Sequence, residues 1–148
     1  MRDNNLSRLP KLLIALRAKK GLSQKAAALG AGLSQSVYCS IEKGRRGNLQ
    51  PMTIELIARA LDLDEDAHTR IVWAVEHDRV IDQVMNGPVS VAAPLVSAAL
   101  EASTRLLPAE ARGLQEYMQE LITAREKLER VATTGAGITT KKEVSAMS

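Results

Sequence analysis

The stretch LRAKKGLSQKAAALGAGLSQSVYCSIEKGRR, residues 16–46, decides the fold. It contains two short segments of helical pattern, from Gln24 to about Ala31 and from Gln35 to about Lys43, separated by the turn Gly32-Leu33-Ser34. A serine stands directly before each segment, where its hydroxyl can accept from the free N–H groups of the first helical turn. Two short helices joined by such a turn are typical of a helix-turn-helix.

Helical periodicity continues on both sides of this stretch. Leucines at i, i+3, i+4 and i+7 from Leu9 to Leu16 predict an amphipathic helix that ends at Gly21. Beyond the stretch, a helix opens at Thr53, and a fifth helix ends at Asn86-Gly87-Pro88. We therefore predict an all-α chain whose residues 1–86 form a five-helix domain.

The 16–46 stretch resembles the Cro/C1-type phage repressor family, also called the xenobiotic-response-element family. The shared frame consists of Arg17, Gly21, Ser23, Gln24, Gly32, Ser34, Gln35, Ser36, Ile41, Glu42 and Gly44. The resemblance covers about residues 9 to 66 and implies a lambda-repressor-like domain that binds double-stranded DNA. The chain departs from the family pattern at Ala27 and Ala31, where bulky aliphatics are usual, and at Tyr38, which replaces Val or Ile. We interpret the tyrosine as filling space that the alanines leave.

Base readout is expected at the N-terminal end of the second short helix, since that end of a recognition helix meets base edges in the major groove. A glutamine amide can donate to and accept from adenine, so Gln35 is the principal candidate. Val37 is a candidate for contact with a thymine methyl group. The expected base-reading residues are Gln35, Ser36, Val37 and Ser40.

Phosphate contacts are expected on either side of these base readers. The resemblance implies that Gln24 bridges a phosphate and Gln35, and that the basic loop after the recognition helix grips phosphate. The expected phosphate-binding residues are Ser23, Gln24, Lys43, Arg45 and Arg46. The resemblance also implies a structural pair between Arg17 and Glu42.

The charge distribution favours a nucleic-acid partner at the front of the chain. Residues 1–50 hold ten Lys and Arg against two Asp and Glu, whereas residues 51–100 hold three against eight. Such asymmetry is typical of a polyanion-binding segment. Aromatic residues make up only 2% of the chain, which disfavours modules that stack single-stranded bases on exposed rings.

The C-terminal half contains a coiled-coil pattern. Apolar residues with spacings of three and four predict a dimerisation seam formed by Leu114, Tyr117, Leu121, Ala124, Leu128 and Val131. We predict a linker over 87–94, a helical dimerisation segment over 95–132 and a flexible tail over 133–148. Met118 and Ile122 widen the apolar stripe, so a helix folded back on its own chain stays an alternative.

Signs of catalysis, metal binding and membrane insertion are weak in the sequence. His68 and His77 do not share a helical face, and neither a metal-ligand cluster nor a P-loop is apparent. Polar residues, glycine and prolines interrupt the uncharged window from Gln83 to Leu100, which disfavours a membrane segment. We expect no catalytic residue, metal or cofactor. Because Cys39 is the only cysteine and the first residues lack an apolar signal stretch, we expect a cytoplasmic protein.

These features predict a sequence-specific DNA-binding transcriptional regulator, a repressor that binds an inverted-repeat operator as a homodimer. One alternative is the antitoxin of a toxin–antitoxin pair, with residues 89–148 bound to a protein partner. The other is a protein-binding adaptor with little DNA binding.

Overall fold

The computed structural model describes residues 6–46 and 49–146, and every element within them is helical. The predicted all-α class is confirmed. The elements are α1 (Leu9–Lys19), α2 (Gln24–Gly30), α3 (Gln35–Glu42), α4 (Pro51–Ala60), α5 (Glu65–Asn86), a 3-10 turn (Ser90–Ala92), α6 (Ala93–Arg105) and α7 (Pro108–Ala146).

The residue directly before the helix caps α2, α3 and α5 with its side chain. The hydroxyls of Ser23 and Ser34 accept from the backbone N–H groups of Ala26 and Val37, at 3.1 and 3.2 Å. Asp64 caps α5 in the same way. These bonds satisfy donors that have no partner inside the helix.

The four short helices α1 to α4 all end in the same hydrogen-bonded motif. In α3, the N–H of Gly44 donates to the carbonyl of Ile41 and that of Arg45 donates to Ser40. This Schellman motif requires a left-handed residue after the helix, and Gly44 supplies it with φ of 68°. In α4 the left-handed position is Asp62, with φ of 47°. Each of these helices therefore has a defined end despite its small length.

The described residues up to Glu101 form the first of two compact units. Its core is made of one apolar face from each of α1 to α5. Fully or nearly fully buried members include Leu13, Ala27, Ala31, Tyr38, Ile41, Ile57, Leu61 and Ile71. Ala27, Ala31 and Tyr38 thus share one core, as the space-filling interpretation of Tyr38 requires.

Small residues let α2 lie very close to α4. A Cβ atom placed on Gly30 would come within 3.2 Å of the Ala60 Cβ, which is tighter than ordinary packing. Glycine lowers helix propensity by about 1 kcal/mol relative to alanine, but a side chain here would push the two helices apart. Glycine at this position therefore avoids a contact that would require Ala60 to move by a few tenths of an ångström.

A polar network joins α1, α5 and α6. Asp78 of α5 accepts from the backbone N–H groups of Arg8 and Leu9, at 2.7 and 3.0 Å, and so caps the start of α1. His77 lies 2.9 Å from Asp78 Oδ1 through Nδ1 and 2.9 Å from the Ser97 hydroxyl through Nε2. Arg8 also donates to Glu101 at 3.1 Å.

The first unit extends beyond the predicted boundary at residue 86. The predicted linker 87–94 contains the 3-10 turn and the beginning of α6. Ala93 and Ser97 are each 2% exposed, and the Ser97 hydroxyl lies 2.9 Å from His77 Nε2 of α5. The first two turns of the predicted dimerisation segment therefore belong to the first unit.

The second unit comprises the described residues from Ala102 onward and is dominated by α7. We expected a flexible tail from residue 133, but the backbone of α7 stays helical through Ala146. Each added residue of a formed helix gains one hydrogen bond, which allows a helix to continue through residues of low propensity. The last two residues of the predicted tail, 147–148, lie outside the described residues.

Two substitutions at Tyr38 test its contribution to the core. Tyr38→Val should lower the free energy of unfolding by about 1–4 kcal/mol, because it opens a cavity beside Ala27 and Ala31. Tyr38→Phe is the matched control and should cost less than about 1 kcal/mol, since the buried hydroxyl has no regular hydrogen bond to lose. Chemical denaturation measures both, and equal stability of the two variants would contradict a space-filling role.

Candidate nucleic-acid interface

The N-terminal end of α3 is an exposed polar surface. Gln35 and Ser36, the first two residues of the helix, are exposed, while Tyr38 and Ile41 on the opposite side are buried. The helix thus presents the principal candidate base reader to solvent with its amide accessible. Free backbone N–H groups at the same end favour an approaching phosphate.

The other two expected base readers are less available. Val37 is half-buried and packs against the core, so only part of its side chain can meet a base. The Ser40 hydroxyl donates to the carbonyl of Ser36 at 2.9 Å, which leaves its oxygen as an acceptor. The exposed recognition surface of α3 is therefore concentrated on Gln35 and Ser36.

A buried carboxylate fixes the far end of α3. Glu42 is 4% exposed and accepts from Arg17 Nε and Nη2 at 2.6 and 3.2 Å. Arg17 Nη1 also donates to the carbonyl of Leu22 at 2.9 Å, in the turn between α1 and α2. Gln24 Nε2 donates to the second Glu42 oxygen at 2.7 Å. The side chain expected to bridge phosphate and Gln35 is thus bound to Glu42 in this structure.

The ionisation of this cluster follows from its contacts. Burial raises the pKa of the Glu42 carboxyl, but the hydrogen bonds from Arg17 and Gln24 and the charge of Arg17 outweigh it, so the pKa lies below its ordinary value of 4.5. The hydrogen bond to Glu42 raises the pKa of Arg17. Burial, followed by the charge of Glu42, raises the pKa of Tyr38 to about 12, although the hydroxyl lies near the carboxylate without a hydrogen bond of regular geometry.

The expected phosphate-binding residues lie at the two ends of the motif. Ser23 is exposed at the start of α2, with its hydroxyl oxygen engaged as the cap. Lys43, Arg45 and Arg46 are exposed directly after α3, and in the part of the chain that the structure describes none of them forms an ion pair. Their charges are therefore available to an external anion.

The hydrogen-bonded network of Ser97, His77 and Asp78 is not among the features predicted from the sequence. Its hydrogen-bond pattern has the connectivity of a hydrolytic triad, but Ser97 and His77 are each 2% exposed and the hydroxyl cannot meet a substrate. Its role in this structure is to hold α6 on α5. No local sequence motif predicts this network, because Ser97 lies twenty residues from His77.

The described residues contain no group of three or more His, Cys, Asp or Glu side chains that could hold a metal ion. Of the helices within the described ranges, none is long and apolar enough to cross a membrane.

The buried ion pair predicts acid sensitivity. The pKa of Glu42 is lower in the folded chain than its ordinary value, so its contribution to stability is present above about pH 4.5 and is lost as the pH falls below that value. In Glu42→Gln this component should be absent, whereas the exposed Glu65→Gln should keep the wild-type acid dependence. Urea unfolding between about pH 7 and about pH 3 measures it. An identical pH dependence for wild type and Glu42→Gln would contradict the role of this pair.

Comparison with known proteins agrees with this geometry. Residues 13–67, from α1 into the first turn of α5, match the family model described as Helix-turn-helix. No curated protein and no solved structure matches the chain. The match contains both short helices, the turn between them and the Arg17–Glu42 pair. Residues 13–67 are therefore a helix-turn-helix domain of the Cro/C1 type, and this domain supports a role of the chain in DNA-binding transcriptional regulation.

Proposed function

We propose that the protein is a cytoplasmic repressor that binds an inverted-repeat operator as a homodimer. The observation that carries this proposal is the exposed N-terminal end of α3, whose opposite end is held by the buried Arg17–Glu42 pair. A short polar helix end on a rigid support is suited to reading base edges in the major groove. Repression follows where the bound operator overlaps the DNA that a polymerase has to occupy.

Gln35 is the main base reader in this proposal, with Ser36 beside it and Val37 and Ser40 at the edge of the contact. The Gln35 amide can form a bidentate pair with adenine, which discriminates against the wrong base by about 1–3 kcal/mol. Lys43, Arg45 and Arg46 contribute sequence-independent affinity through phosphates. Ser23 and Gln24 approach the backbone from the start of α2.

Dimerisation is proposed through α7. The six seam residues, Leu114, Tyr117, Leu121, Ala124, Leu128 and Val131, are all exposed within the chain. An apolar stripe of this length on an unpaired helix favours a partner helix over solvent. One helix-turn-helix domain contacts few base pairs, so joining two of them raises operator affinity through effective concentration.

Substitution of Gln35 tests base readout. Gln35→Ala should weaken operator binding by about 1–3 kcal/mol and relax the preference at one base position in each half-site, because the bidentate pair is lost. Gln119→Ala, an exposed glutamine on α7, is the matched control and should bind as wild type does. Selection from a random duplex library measures the preference. If Gln35→Ala selected the same bases as wild type, Gln35 would not be the reader.

Neutralisation of the basic loop tests phosphate binding. A variant with glutamine at Lys43, Arg45 and Arg46 should bind all duplexes more weakly, and its salt slope should fall by about one per lost phosphate contact. Sequence preference should survive, because these side chains read no base.

The control for this variant removes the same charge elsewhere. Glutamine at the exposed positions Arg70, Arg112 and Arg130 also lowers the net charge by three, so it measures the effect of net charge alone. Salt titrations of both variants on one duplex give the comparison. Equal slopes for the two variants would show that the loop after α3 does not contact phosphate.

A further inference from the structure

The charges beside the seam are divided into two groups. Arg125 Nε lies 3.0 Å from Glu129, and Arg130 lies 3.9 Å from Glu126, so these pairs form within α7 itself. Glu120 and Lys127 form no ion pair within the described residues. Both flank the seam on the same side, at position g of the heptad that places Leu121 at position a. Two opposite charges next to the apolar stripe are therefore available for ion pairs with another chain.

The sizes of the seam residues favour an antiparallel pairing. In a parallel pair each residue faces its own copy. One layer then holds two Tyr117 rings, the next holds two leucines, and the one after that holds two small Ala124 residues. In an antiparallel pair centred between Ile122 and Thr123, Leu121 faces Ala124 and Tyr117 faces Leu128. Each layer then combines a larger with a smaller side chain, which fills the space between helices more evenly.

Among the antiparallel registers, the charges of Glu120 and Lys127 favour the same arrangement. In an antiparallel pair, position g of one helix faces position g of the other. With this centre, Glu120 of each helix therefore faces Lys127 of the partner subunit, which gives two symmetric ion pairs. A shift by one heptad in either direction places Glu120 opposite Glu120, or Lys127 opposite Lys127. Like charges in these positions repel, so the charge pattern selects one register.

We propose that α7 pairs with α7 of a second copy of this chain in an antiparallel coiled coil, with Leu121 packed against Ala124 and Glu120 bound to Lys127. This inference rests on the dimer in the proposed function and adds its orientation and register. In this arrangement Arg125 faces Met118 of the partner subunit, whereas in a parallel pair it would face Glu120. Charge reversals therefore distinguish the two orientations.

The first test measures the dimer dissociation constant of full-length variants by sedimentation equilibrium. Lys127→Glu should raise it about tenfold, because two attractive pairs become repulsive. The matched control Arg125→Glu should change it by less than about twofold. The double variant Glu120→Lys/Lys127→Glu should return to the wild-type value. A larger effect of Arg125→Glu than of Lys127→Glu would indicate parallel helices and overturn the proposal.

The second test measures orientation directly by disulfide formation in a Cys39→Ser background. Leu114→Cys and Val131→Cys chains should cross-link to each other when mixed and oxidised. Neither should cross-link efficiently alone, because the two copies of residue 114 are roughly 25 Å apart along an antiparallel pair. Efficient self-cross-linking of each chain alone would overturn the antiparallel orientation.

These measurements also separate the orientation from the dimer itself. Leu121→Asp should give a monomer whose first unit stays folded, since Leu121 lies outside the core of that unit. A dimer that self-cross-links refutes the orientation and leaves the dimeric repressor in place. A wild-type chain that sediments as a monomer while bound to operator refutes both the dimer and its orientation.

Discussion

The position of α3 depends on the ion pair between Arg17 and Glu42. Glu42 is the last residue of α3, and its carboxylate receives Arg17 from α1 and Gln24 from α2. A buried carboxylate without partners destabilises a fold by several kcal/mol, so helix orientations that separate these groups are disfavoured. The direction in which Gln35 and Ser36 point is thus controlled from the opposite end of the helix. The proposed base readout and the stability of the core therefore share one constraint.

That constraint is effective because α2 and α3 are too short to be stable alone. Isolated helices of seven or eight residues are marginal in water, and both helices depend on their ends and on packing. Serine caps at their starts and Schellman motifs at their ends satisfy backbone groups that would otherwise be exposed. Gly30 then allows α2 to lie against Ala60, which places the whole motif on α4.

Local chemistry explains which features the sequence could predict. The serine caps and the left-handed Gly44 act within four residues, so their types and spacing are visible in the printed sequence. The helix-turn-helix itself was predicted by the same spacing and by family resemblance, and the family match over residues 13–67 confirms it. The half-buried position of Val37 was not visible, because helical spacing alone does not show how far the core extends up the side of α3.

Interactions between distant residues account for the remaining differences. Asp78 caps α1 from seventy residues away, and no sequence rule connects it with Arg8. The break at Gly87-Pro88 marks the end of α5 but not of the first unit, because the His77–Ser97 hydrogen bond holds the next helix in place. A helix terminator identifies the end of an element, whereas a domain boundary depends on what the following element packs against.

The apolar residues of the chain serve two separate purposes. In the first unit they form a closed core, whereas every described seam residue of α7 is exposed within the chain. Because the core of the first unit contains no seam residue, substitutions in the seam should leave the support of Gln35 unchanged. The proposed base readout and the proposed assembly can therefore vary independently, because the Arg17–Glu42 pair supports the first, whereas the second is assigned to the apolar and charged residues of α7.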